Sequence, residues 1–404
     1  MTRQVKRAFK YRFYPTGVQA AELSRTFGCV RLVYNKALEE RTRAWSGEQR
    51  RISYVQSSLA LTQWKKTEEL AFLTEVSSVP VPLQQALRHL QTAFGNFFAK
   101  RAKYPRYKSR KKSRESAEYT RSAFTWRDGA LTLAKMTEPL DIRWSRPLPG
   151  GAEPTTVTVS RDAAGRWFVS LLCEDTIAPA AATTAAVGLD AGITSLVTLS
   201  TGEKVANSKH ERRDRARLAR AQRELSRKAK GSANREKARR KVARVHVRIA
   251  DRRRDVLHKL STRLVRENQT VVIEDLTVRN LLQNGTLARA ISDASWTQLR
   301  FMLEYKCAWY GRELVVFDRF FPSSKLCGNC GTVRGKLPLN VREWTCVCGA
   351  VHDRDVNAAR NILAAGLAAS ACGDGVRPQR ESSRTGRSSV KQEPQRATAG
   401  IPRL

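Results

Sequence analysis

The sequence predicts a multidomain protein in which an α/β domain follows a region that mixes β-strands with helices. Three observations predict this class. After residue 187, buried strands alternate with helices, which is the order that α/β domains show. A run of alanine, threonine and proline at residues 177–186 is typical of a linker between the two halves. Closely spaced cysteine pairs between residues 327 and 348 indicate a small metal-bound insert in the second half.

The composition points to a polyanionic partner. The chain has 404 residues, and its 74 lysines and arginines outnumber 37 acidic residues, which gives a formal charge of +37. Such an excess destabilises a lone compact state by self-repulsion, so nucleic acid is the expected partner. No run of 18 apolar residues occurs, which argues against a membrane-spanning helix and a membrane partner.

A reducing compartment is expected from the termini and the cysteines. The first residues lack the apolar segment of a secretion signal. The cysteines outside the paired cluster are isolated and are expected to be reduced thiols: Cys29, Cys173, Cys307 and Cys372. The cytoplasm is therefore the expected location.

The first half opens with a strand and continues with helices. Residues 5–14 alternate apolar or aromatic side chains with basic ones, which predicts a half-buried strand. Helical periodicity follows from about residue 19 to residue 98. The segment 100–116 then interleaves tyrosines with lysines and arginines, which suits RNA or single strands because rings stack on bases while cations hold phosphates. A solvated basic loop is the alternative interpretation of that segment.

The second half begins with a buried strand that carries Asp190, and a later buried strand ends in Glu274. Between them, residues 204–254 hold 21 lysines or arginines against 5 acidic residues, and Gly231 interrupts the run. This pattern predicts a basic helical hairpin. Like charges at that density cost stability unless a phosphate backbone neutralises them, which again favours nucleic acid.

Three carboxylates predict a hard-metal site. Asp190 and Glu274 lie at strand ends and Asp355 lies at the start of an alanine-rich helix, so the three could converge at one edge of a sheet. Hard cations prefer oxygen ligands, and two Mg²⁺ ions stabilise both the attacking water and the leaving oxygen of a phosphodiester. Each carboxylate alone could be a cap or a turn residue. Together, in basic surroundings, they favour a nuclease.

The cysteine cluster predicts a structural zinc site. Cys327 and Cys330 form a C-x-x-C pair, Cys346 and Cys348 form a C-x-C pair, and fifteen residues separate the two pairs. Four thiolates close the coordination of Zn²⁺, so the site is expected to be structural. Because the second pair is one residue shorter than C-x-x-C, His352 is an alternative to Cys348 as the fourth ligand.

Four segments carry a resemblance to a known family. They are Gly-Leu-Asp-Ala-Gly at 188–192, Ile-Glu-Asp-Leu at 273–276, the segment 321–330 around the first cysteine pair, and Asp-Arg-Asp-Val-Asn-Ala-Ala-Arg-Asn-Ile at 353–362. These segments resemble the OrfB/TnpB family of insertion-sequence-encoded RNA-guided DNA endonucleases, regarded as ancestors of the type V CRISPR effectors. The resemblance extends from about residue 5 to residue 366.

The resemblance implies a specific architecture. A RuvC nuclease domain of the RNase H-like class would be interrupted by a zinc ribbon. An oligonucleotide-binding-like β-barrel, the wedge domain, would precede it and contain an inserted helical recognition domain. The implied boundaries are 1–15 and 117–180 for the wedge, 16–116 for the recognition domain, 187–320 and 350–371 for the nuclease, 321–349 for the ribbon and 372–404 for a disordered basic tail.

Site residues follow from the same resemblance. Asp190, Glu274 and Asp355 would be the catalytic carboxylates that bind two Mg²⁺ ions. Asp355 is preferred over Asp353 because the family's metal ligand is the aspartate just before the x-Asn-Ala-Ala stretch. One Zn²⁺ would bind the four paired cysteines. Residues at positions that contact the target-flanking motif in relatives would be Tyr54, Gln84 and Thr125.

The implied activity is RNA-guided DNA cleavage next to a short transposon-associated motif, by two-metal-ion phosphodiester hydrolysis. The partners would be a guide RNA from the transposon end and double-stranded target DNA, in a monomeric ribonucleoprotein within the prokaryotic cytoplasm, at the nucleoid. Two alternatives remain: a DNA transposase that acts by strand transfer, and a guided repressor that binds without cleavage. The three acidic positions are all intact, which favours an active enzyme.

Overall fold

The computed structural model describes residues 2–76, 81–110, 113–335, 338 and 340–371. The predicted tail at 372–404 therefore lies outside the described residues, as does Cys372. Within the described ranges, no helix is both long and apolar enough to cross a membrane.

An antiparallel sheet organises the first half. Its strands and an adjoining hairpin are β1 (Arg3–Phe13), β2 (Glu115–Thr120), β3 (Phe124–Arg127), β4 (Ala130–Leu133), β5 (Ile142–Arg143), β6 (Pro154–Arg161) and β7 (Trp167–Ile177). Over the described residues, the sheet order is β2-β6-β7-β1-β5, and β3 pairs with β4. Strand β1 buries Phe9, Tyr11 and Phe13 and exposes Lys10, which confirms the predicted half-buried strand.

A helical region is inserted between β1 and β2. Its helices are α1 (Gly17–Glu48), α2 (Tyr54–Trp64), α3 (Phe72–Val76) and α4 (Val81–Phe98). Helices α1 and α2 each begin with a capping box, in which Thr16 pairs with Gln19 at α1 and Ser53 pairs with Gln56 at α2. Apolar residues of these helices and of the sheet form one continuous core.

A mixed sheet organises the second half. Its strands are β8 (Ala186–Ala191), β9 (Ser195–Leu199), β10 (Lys204–Ala206), β11 (Thr270–Glu274) and β12 (Glu313–Phe317). Over the described residues, their order is β10-β9-β8-β11-β12. Strand β9 is antiparallel to both β8 and β10, whereas β11 is parallel to both β8 and β12. The predicted α/β half is confirmed.

The remaining elements lie around this sheet. They are α5 (His210–Ser226), α6 (Ala233–Glu267), α7 (Val278–Leu281), α8 (Ala288–Ala294), α9 (Trp296–Tyr310), the short strands β13 (Glu343–Thr345) and β14 (Val351–Asp353), and α10 (Arg354–Ala371). Helices α5 and α6 form the predicted basic hairpin, and the Ser232 side chain caps α6. The predicted linker has no regular structure between β7 and β8.

Parallel pairing places two of the predicted carboxylates at one edge. Leu189 of β8 is paired with Ile273 of β11, so Asp190 and Glu274 each follow a paired residue in the same direction. The carboxyl ends of parallel strands share one edge of a sheet. The fold therefore brings these two side chains to neighbouring positions.

Glycines allow α10 to approach the sheet closely. A Cβ atom added at Gly188 would lie 2.3 Å from the carbonyl oxygen of Ala359 on α10. A Cβ atom added at Gly366 of α10 would lie 2.3 Å from Cγ1 of Val272 on β11. The helix can lie directly on β8 and β11 because both positions lack side chains. Its N-terminus, which carries Asp355, is thereby directed to the edge that holds Asp190.

Candidate functional site

Asp190 lies within electrostatic range of both Glu274 and Asp355. Burial and the charges of Asp355 and Glu274 raise the pKa of Asp190 to about 7. Burial, followed by the charge of Asp275, also raises the pKa of Glu274. Like charges that disfavour one another's ionised form are a common feature of sites that bind cations.

Asp353 and Asp355 have different roles. Both carboxylate oxygens of Asp353 accept structural hydrogen bonds. Its Oδ1 accepts hydrogen bonds from the backbone N–H groups of Asp355 (3.1 Å) and Val356 (3.0 Å), so it caps α10. Its Oδ2 accepts from Nζ of Lys204 at 2.5 Å. Burial raises the pKa of Asp353, but the hydrogen bond from Lys204 and those from the backbone outweigh this effect and lower it overall. Asp355 is the carboxylate that remains available to the cluster.

An arginine from the cysteine-containing insert reaches the cluster. Arg342 donates from NH1 to both carboxylate oxygens of Asp355, at 3.3 and 3.4 Å, and from NH2 to Oγ1 of Thr194 at 3.2 Å. Sequence reasoning missed this residue because basic residues are abundant along the chain. The contact shows that the insert lies against the carboxylates.

The paired cysteines form a metal-binding cluster. Within the described residues, the Sγ atoms of Cys327, Cys330, Cys346 and Cys348 all lie within 4.8 Å of one another. The Sγ–Sγ distances are 3.8 Å from Cys327 to Cys348 and 3.6 Å from Cys330 to Cys346. Four sulfur atoms at this spacing can hold one metal ion. The short Cys346-Val347-Cys348 pair therefore brings both its thiols into the cluster.

His352 lies at the edge of this cluster. Its Nε2 is 3.0 Å from Sγ of Cys327, and its ring packs on Trp344 with centroids 4.7 Å apart. An N–H group at this position can donate to a thiolate that also binds a metal, which stabilises the charge on sulfur. Cys348 lies beside the other three thiols, whereas His352 contacts only Cys327 among them.

Two buried asparagines fasten the insert to α10. The side chain of Asn357 donates to the carbonyl of Leu326 at 2.7 Å and accepts from the backbone N–H of Gly328 at 3.1 Å. One turn later, Asn361 donates to the carbonyls of Ser323 and Leu326, both at 2.8 Å. Sequence reasoning missed this role, although two asparagines four residues apart on an alanine-rich helix were an available signal. The first cysteine pair is thus held one turn from Asp355.

A cavity adjoins Glu274. It has a volume of about 820 Å³ and lies between the end of β11, helices α7 and α8, and helix α9. Asp275 at its wall forms ion pairs with Arg300 of α9, at 2.5 Å, and with Arg319. Burial raises the pKa of Asp275, but hydrogen bonds and charges from both arginines lower it overall. These pairs brace the segment that follows Glu274 against α9.

The three predicted motif contacts lie on separate elements. Tyr54 begins α2, and its hydroxyl accepts a hydrogen bond of 3.4 Å from Arg88 of α4. Gln84 lies one turn before Arg88 on the same helix and is half-buried. Thr125 is exposed on β3. Tyr54 and Gln84 therefore flank Arg88, a residue that sequence reasoning did not select, and Thr125 lies on the hairpin.

The basic, tyrosine-containing segment is only partly free to bind a partner. Tyr104 packs edge-on against Phe94 and Phe97, with centroids 5.5 and 5.3 Å away. Lys108 lies 4.0 Å from the ring centroid of Tyr34, and burial lowers its pKa. Tyr107, in contrast, is exposed. The segment therefore packs on α1 and α4. Its other described cations are exposed: Lys100, Arg101, Lys103, Arg106, Arg110 and Arg114.

Family models match most of the chain. A model of the OrfB_IS605 family, described as "Probable transposase", matches residues 168–285. A model described as the Cas12f1-like TNB domain matches residues 296–362, and a helix-turn-helix model of OrfB_IS605 matches residues 1–50. In the structure, that last region forms strand β1 and the uninterrupted helix α1.

Curated relatives and a solved structure agree with these matches. A protein of Streptomyces pristinaespiralis named "Putative RNA-guided DNA endonuclease" is 89% identical, and the alignment covers 100% of this chain and 100% of the relative. "Putative RNA-guided DNA endonuclease InsQ" of Escherichia coli (strain K12) is 34% identical, over 96% of this chain and 97% of the relative. A cryo-EM structure of a Cas12f1–sgRNA–target DNA complex shares the fold, with a TM-score of 0.55 and 12% identity over 89% of this chain and 98% of that one. The chain therefore belongs to the OrfB/TnpB family, in which both of these curated relatives carry the name "Putative RNA-guided DNA endonuclease".

Proposed function

We propose that this protein is an RNA-guided DNA endonuclease encoded by an insertion sequence, which cleaves DNA next to a short transposon-associated motif. The observation that carries the proposal is the environment of Asp190, whose pKa is raised to about 7 by burial and by the charges of Asp355 and Glu274. A carboxylate cluster of this kind in a strongly basic protein fits hydrolysis of a phosphodiester. The names of the relatives support the same activity.

The strand order supports the assignment of the nuclease domain. An order of β10-β9-β8-β11-β12, with the first three strands antiparallel and the last three parallel, fits an RNase H-like sheet of the RuvC type. We assign residues 187–320 and 350–371 to this domain and 321–349 to the zinc ribbon. The antiparallel sheet at 1–15 and 117–180 would be the OB-like wedge barrel, and residues 16–116 the recognition domain.

Two Mg²⁺ ions would fit the carboxylate cluster. Asp190, Glu274 and Asp355 supply the oxygen ligands that hard cations prefer. A cation there would offset the charges of Asp355 and Glu274, which together with burial raise the pKa of Asp190. When bound, the ions supply Lewis acidity at the phosphodiester and lower the pKa of water. The protein itself contributes placement: β8 and β11 hold two carboxylates, α10 holds the third, and Arg342 lies beside Asp355.

A single Zn²⁺ ion would fit the cysteine cluster. Cys327, Cys330, Cys346 and Cys348 are soft ligands at tetrahedral spacing, and four protein ligands close the site. The ion would stiffen the insert, which the asparagines of α10 hold against the active site. We assign it a structural role.

Guide RNA and double-stranded target DNA are the proposed partners. The basic hairpin of α5 and α6 would hold the RNA backbone, because its cations exceed what the local carboxylates neutralise. Tyr54, Gln84 and Thr125 would contact the flanking motif. We expect a monomeric ribonucleoprotein in the cytoplasm of a prokaryote, at the nucleoid.

Substitution of the carboxylates tests this function. We expect Asp190→Ala or Glu274→Ala to abolish cleavage of guide-matched DNA, while RNA binding stays near the wild-type level. The exposed Asp141 offers a matched control, because Asp141→Ala removes a carboxylate far from the cluster along the chain. Full cleavage by either active-site variant would refute the assignment.

Sequencing of the RNA that copurifies with the protein tests the guide. We expect it to match the 3′ end of the encoding element, because the proposed partner derives from the transposon end. Random cellular RNA in its place would indicate a basic protein that binds nucleic acid without guidance. The RNA would be compared between wild type and Asp190→Ala, which should carry the same sequences.

Strand transfer is the second candidate function, because the OrfB_IS605 model carries the description "Probable transposase". Donor DNA ends and a target plasmid, incubated with the protein and no guide RNA, separate the two candidates. Integration of the donor ends would replace the endonuclease proposal with strand transfer. Binding of matched DNA by the wild-type ribonucleoprotein without cleavage would instead indicate a guided repressor.

A further inference from the structure

Helix α9 presents a ladder of aromatic rings on one face. Phe301, Tyr305 and Trp309 are four residues apart in turn, so they lie along the same side of the helix. The ring centroids of Phe301 and Tyr305 are 5.6 Å apart, and those of Tyr305 and Trp309 are 4.6 Å apart. Phe301 is 59% exposed, and the other two are half-buried. This surface is called the α9 ladder below.

The α9 ladder continues onto the antiparallel sheet through arginines. The guanidinium of Arg7 lies 5.0 Å from the centroids of both Trp309 and Phe9, so it joins α9 to β1. Arg146, which is exposed, lies 5.3 Å from the centroid of Phe9 and 5.9 Å from that of Tyr11. Rings and arginines therefore alternate along a path through the contact between the two halves. The middle of this path is covered, because Phe9 and Tyr11 are buried and Arg7 also pairs with Asp175 at 2.9 Å.

Positive charge accompanies this path. Burial raises the pKa of Tyr305, while the charges of Arg7 and Arg146 lower it, so both cations lie within electrostatic range of its hydroxyl group. Burial and the charges of Lys306, Arg254 and Arg146 also lower the pKa of His258 on the adjoining α6. Alternating rings and cations suit a chain of stacked bases and phosphates.

The two ends of the path lie at functional positions. Phe301 lines the cavity that also contains Glu274. At the other end, Tyr11 packs on Trp144 at 4.7 Å, and Trp144, 41% exposed, packs on Trp126 at 5.8 Å. Trp126 directly follows Thr125, the proposed motif contact. The exposed parts of the path are thus its two ends, Phe301 at the cavity that Glu274 lines and Trp144 beside the hairpin.

We propose that the α9 ladder, with Arg146, binds single-stranded DNA and directs it towards the carboxylates. This inference rests on the proposed function, since it names the surface that would deliver a strand to the nuclease site. Packing between the two halves accounts for Trp309 between Arg7 and β1, but it leaves Phe301 and Trp144 exposed. Arg146 is exposed in the same cluster as Trp144, and exposed rings in a strongly basic protein favour a nucleic-acid strand over an apolar partner.

Replacement of Phe301 tests the proposal. The probe is fluorescein-labelled oligothymidylate, titrated into the full-length protein as purified, over a series of salt concentrations. We expect Phe301→Leu to weaken binding about tenfold at every salt concentration, because a stacked base is lost. The slope of log affinity against log salt should stay unchanged, because no phosphate contact is removed.

Two control variants make the result specific. Phe301→Tyr keeps a ring and should restore wild-type affinity. Phe72→Leu removes an exposed phenylalanine of α3 and should leave binding unchanged. Equal binding by Phe301→Leu and wild type would overturn the proposal, as would failure of Phe301→Tyr to restore it.

The binding assay also separates this proposal from the proposed function. If the protein binds oligothymidylate through Phe301 but never cleaves guide-matched DNA, the proposed role of the α9 ladder is supported and the endonuclease assignment is rejected. If the protein cleaves matched DNA while Phe301→Leu binds oligothymidylate normally, the endonuclease assignment is supported and the proposed role of the α9 ladder is rejected. Photocrosslinking of iododeoxyuridine-substituted DNA should, in addition, map to Phe301, Tyr305 or Trp309.

Discussion

At the scale of single residues, neighbours decide which of several similar side chains can perform chemistry. Asp353 and Asp355 are two residues apart, yet Asp353 is committed to capping α10 and to Lys204, whereas Asp355 joins the carboxylate cluster. Cys348 and His352 also differ in their surroundings. The thiol of Cys348 lies among the other three thiols, and the imidazole of His352 contacts Cys327 from outside the cluster. Identity alone would not distinguish either pair.

Substitution of Cys348 tests the zinc assignment. We expect Cys348→Ser to reduce zinc content well below one ion per chain and to destabilise the insert, because it removes one of four ligands. His352→Ala should retain zinc, since it removes the contact to Cys327 and the packing on Trp344 but none of the four thiols. Metal analysis of purified protein measures both. Retention of full zinc by Cys348→Ser together with loss by His352→Ala would assign the fourth position to the histidine.

A buried lysine predicts a pH dependence of stability. Lys306 of α9 donates to Ser261 and Thr262 of α6, each at 2.7 Å, and burial lowers its pKa to about 8. The folded state therefore releases this proton at lower pH than the unfolded state, so this residue's contribution to stability rises between pH 8 and 10. The free energy of unfolding of wild type minus that of Lys306→Met should therefore increase by about 2–3 kcal/mol as the pH rises from 8 to 10.

Urea unfolding of both proteins between pH 7 and 10 measures that difference, and other titrating groups cancel in the comparison. Lys259→Met, which removes an exposed lysine of the neighbouring helix, is the control and should show no such pH dependence. A wild-type-minus-variant difference that stays constant with pH would show that Lys306 is not the group responsible.

At the scale of elements, α10 organises the second half. It lies on β8 and β11 because Gly188 and Gly366 leave room for its backbone and for Val272. Its N-terminus supplies Asp355, and its buried asparagines hold the cysteine insert. One helix therefore couples the sheet, the carboxylate cluster and the metal-binding insert. Any change that shifts this helix should impair all three.

Substitution of Gly188 tests this coupling. In Gly188→Ala, the new methyl group would lie 2.3 Å from the carbonyl oxygen of Ala359, so the helix must move away from β8. We expect a loss of about 1–3 kcal/mol of unfolding free energy, as for other overpacked sites, and a larger loss of cleavage because Asp355 moves away from Asp190.

Gly28 provides the matched control for that experiment. It lies within α1, and no heavy atom lies within 4 Å of an added Cβ. Gly28→Ala should therefore stabilise the protein by up to about 1 kcal/mol through helix propensity. Unfolding and cleavage would be measured for both variants. Wild-type cleavage by a folded Gly188→Ala variant would contradict the proposed placement of Asp355 by α10.

At the scale of the whole molecule, charge and the contact between halves dominate. The formal charge of +37 is concentrated partly in α5 and α6, which lie in the second half, and in residues 100–116 of the first. The halves touch through Arg3, which donates to the carbonyl of Ala308 at 2.9 Å, and through the Arg166–Asp251 ion pair at 2.6 Å. A bound polyanion that contacts both halves would relieve repulsion within each.

Removal of bound RNA tests this view of the whole molecule. We expect protein treated with ribonuclease to melt at lower temperature than protein with its RNA, because RNA binds the folded state and neutralises its charge. The difference should shrink as salt rises, since salt screens the same repulsion. Thermal unfolding at low and high salt measures it. Equal melting temperatures in low salt would argue against a stabilising polyanion.

Local patterns made much of the fold predictable. Alternating side chains at residues 5–14 predicted β1, apolar runs around Asp190 and Glu274 predicted β8 and β11, and an interrupted basic run predicted the α5–α6 hairpin. These predictions succeeded because strand and helix periodicity depends on nearest neighbours in the sequence. The spacing of the paired cysteines was informative for the same reason.

The sequence by itself determined the chemical types available: three carboxylates at element ends, four paired thiols and a large excess of cations. Only the tertiary structure decided their arrangement. The pKa of Asp190, the commitment of Asp353 to a cap, the approach permitted by Gly188 and the ladder that joins α9 to β1 all depend on residues distant in the chain. Electrostatic and steric effects act through space, so no local pattern encodes them.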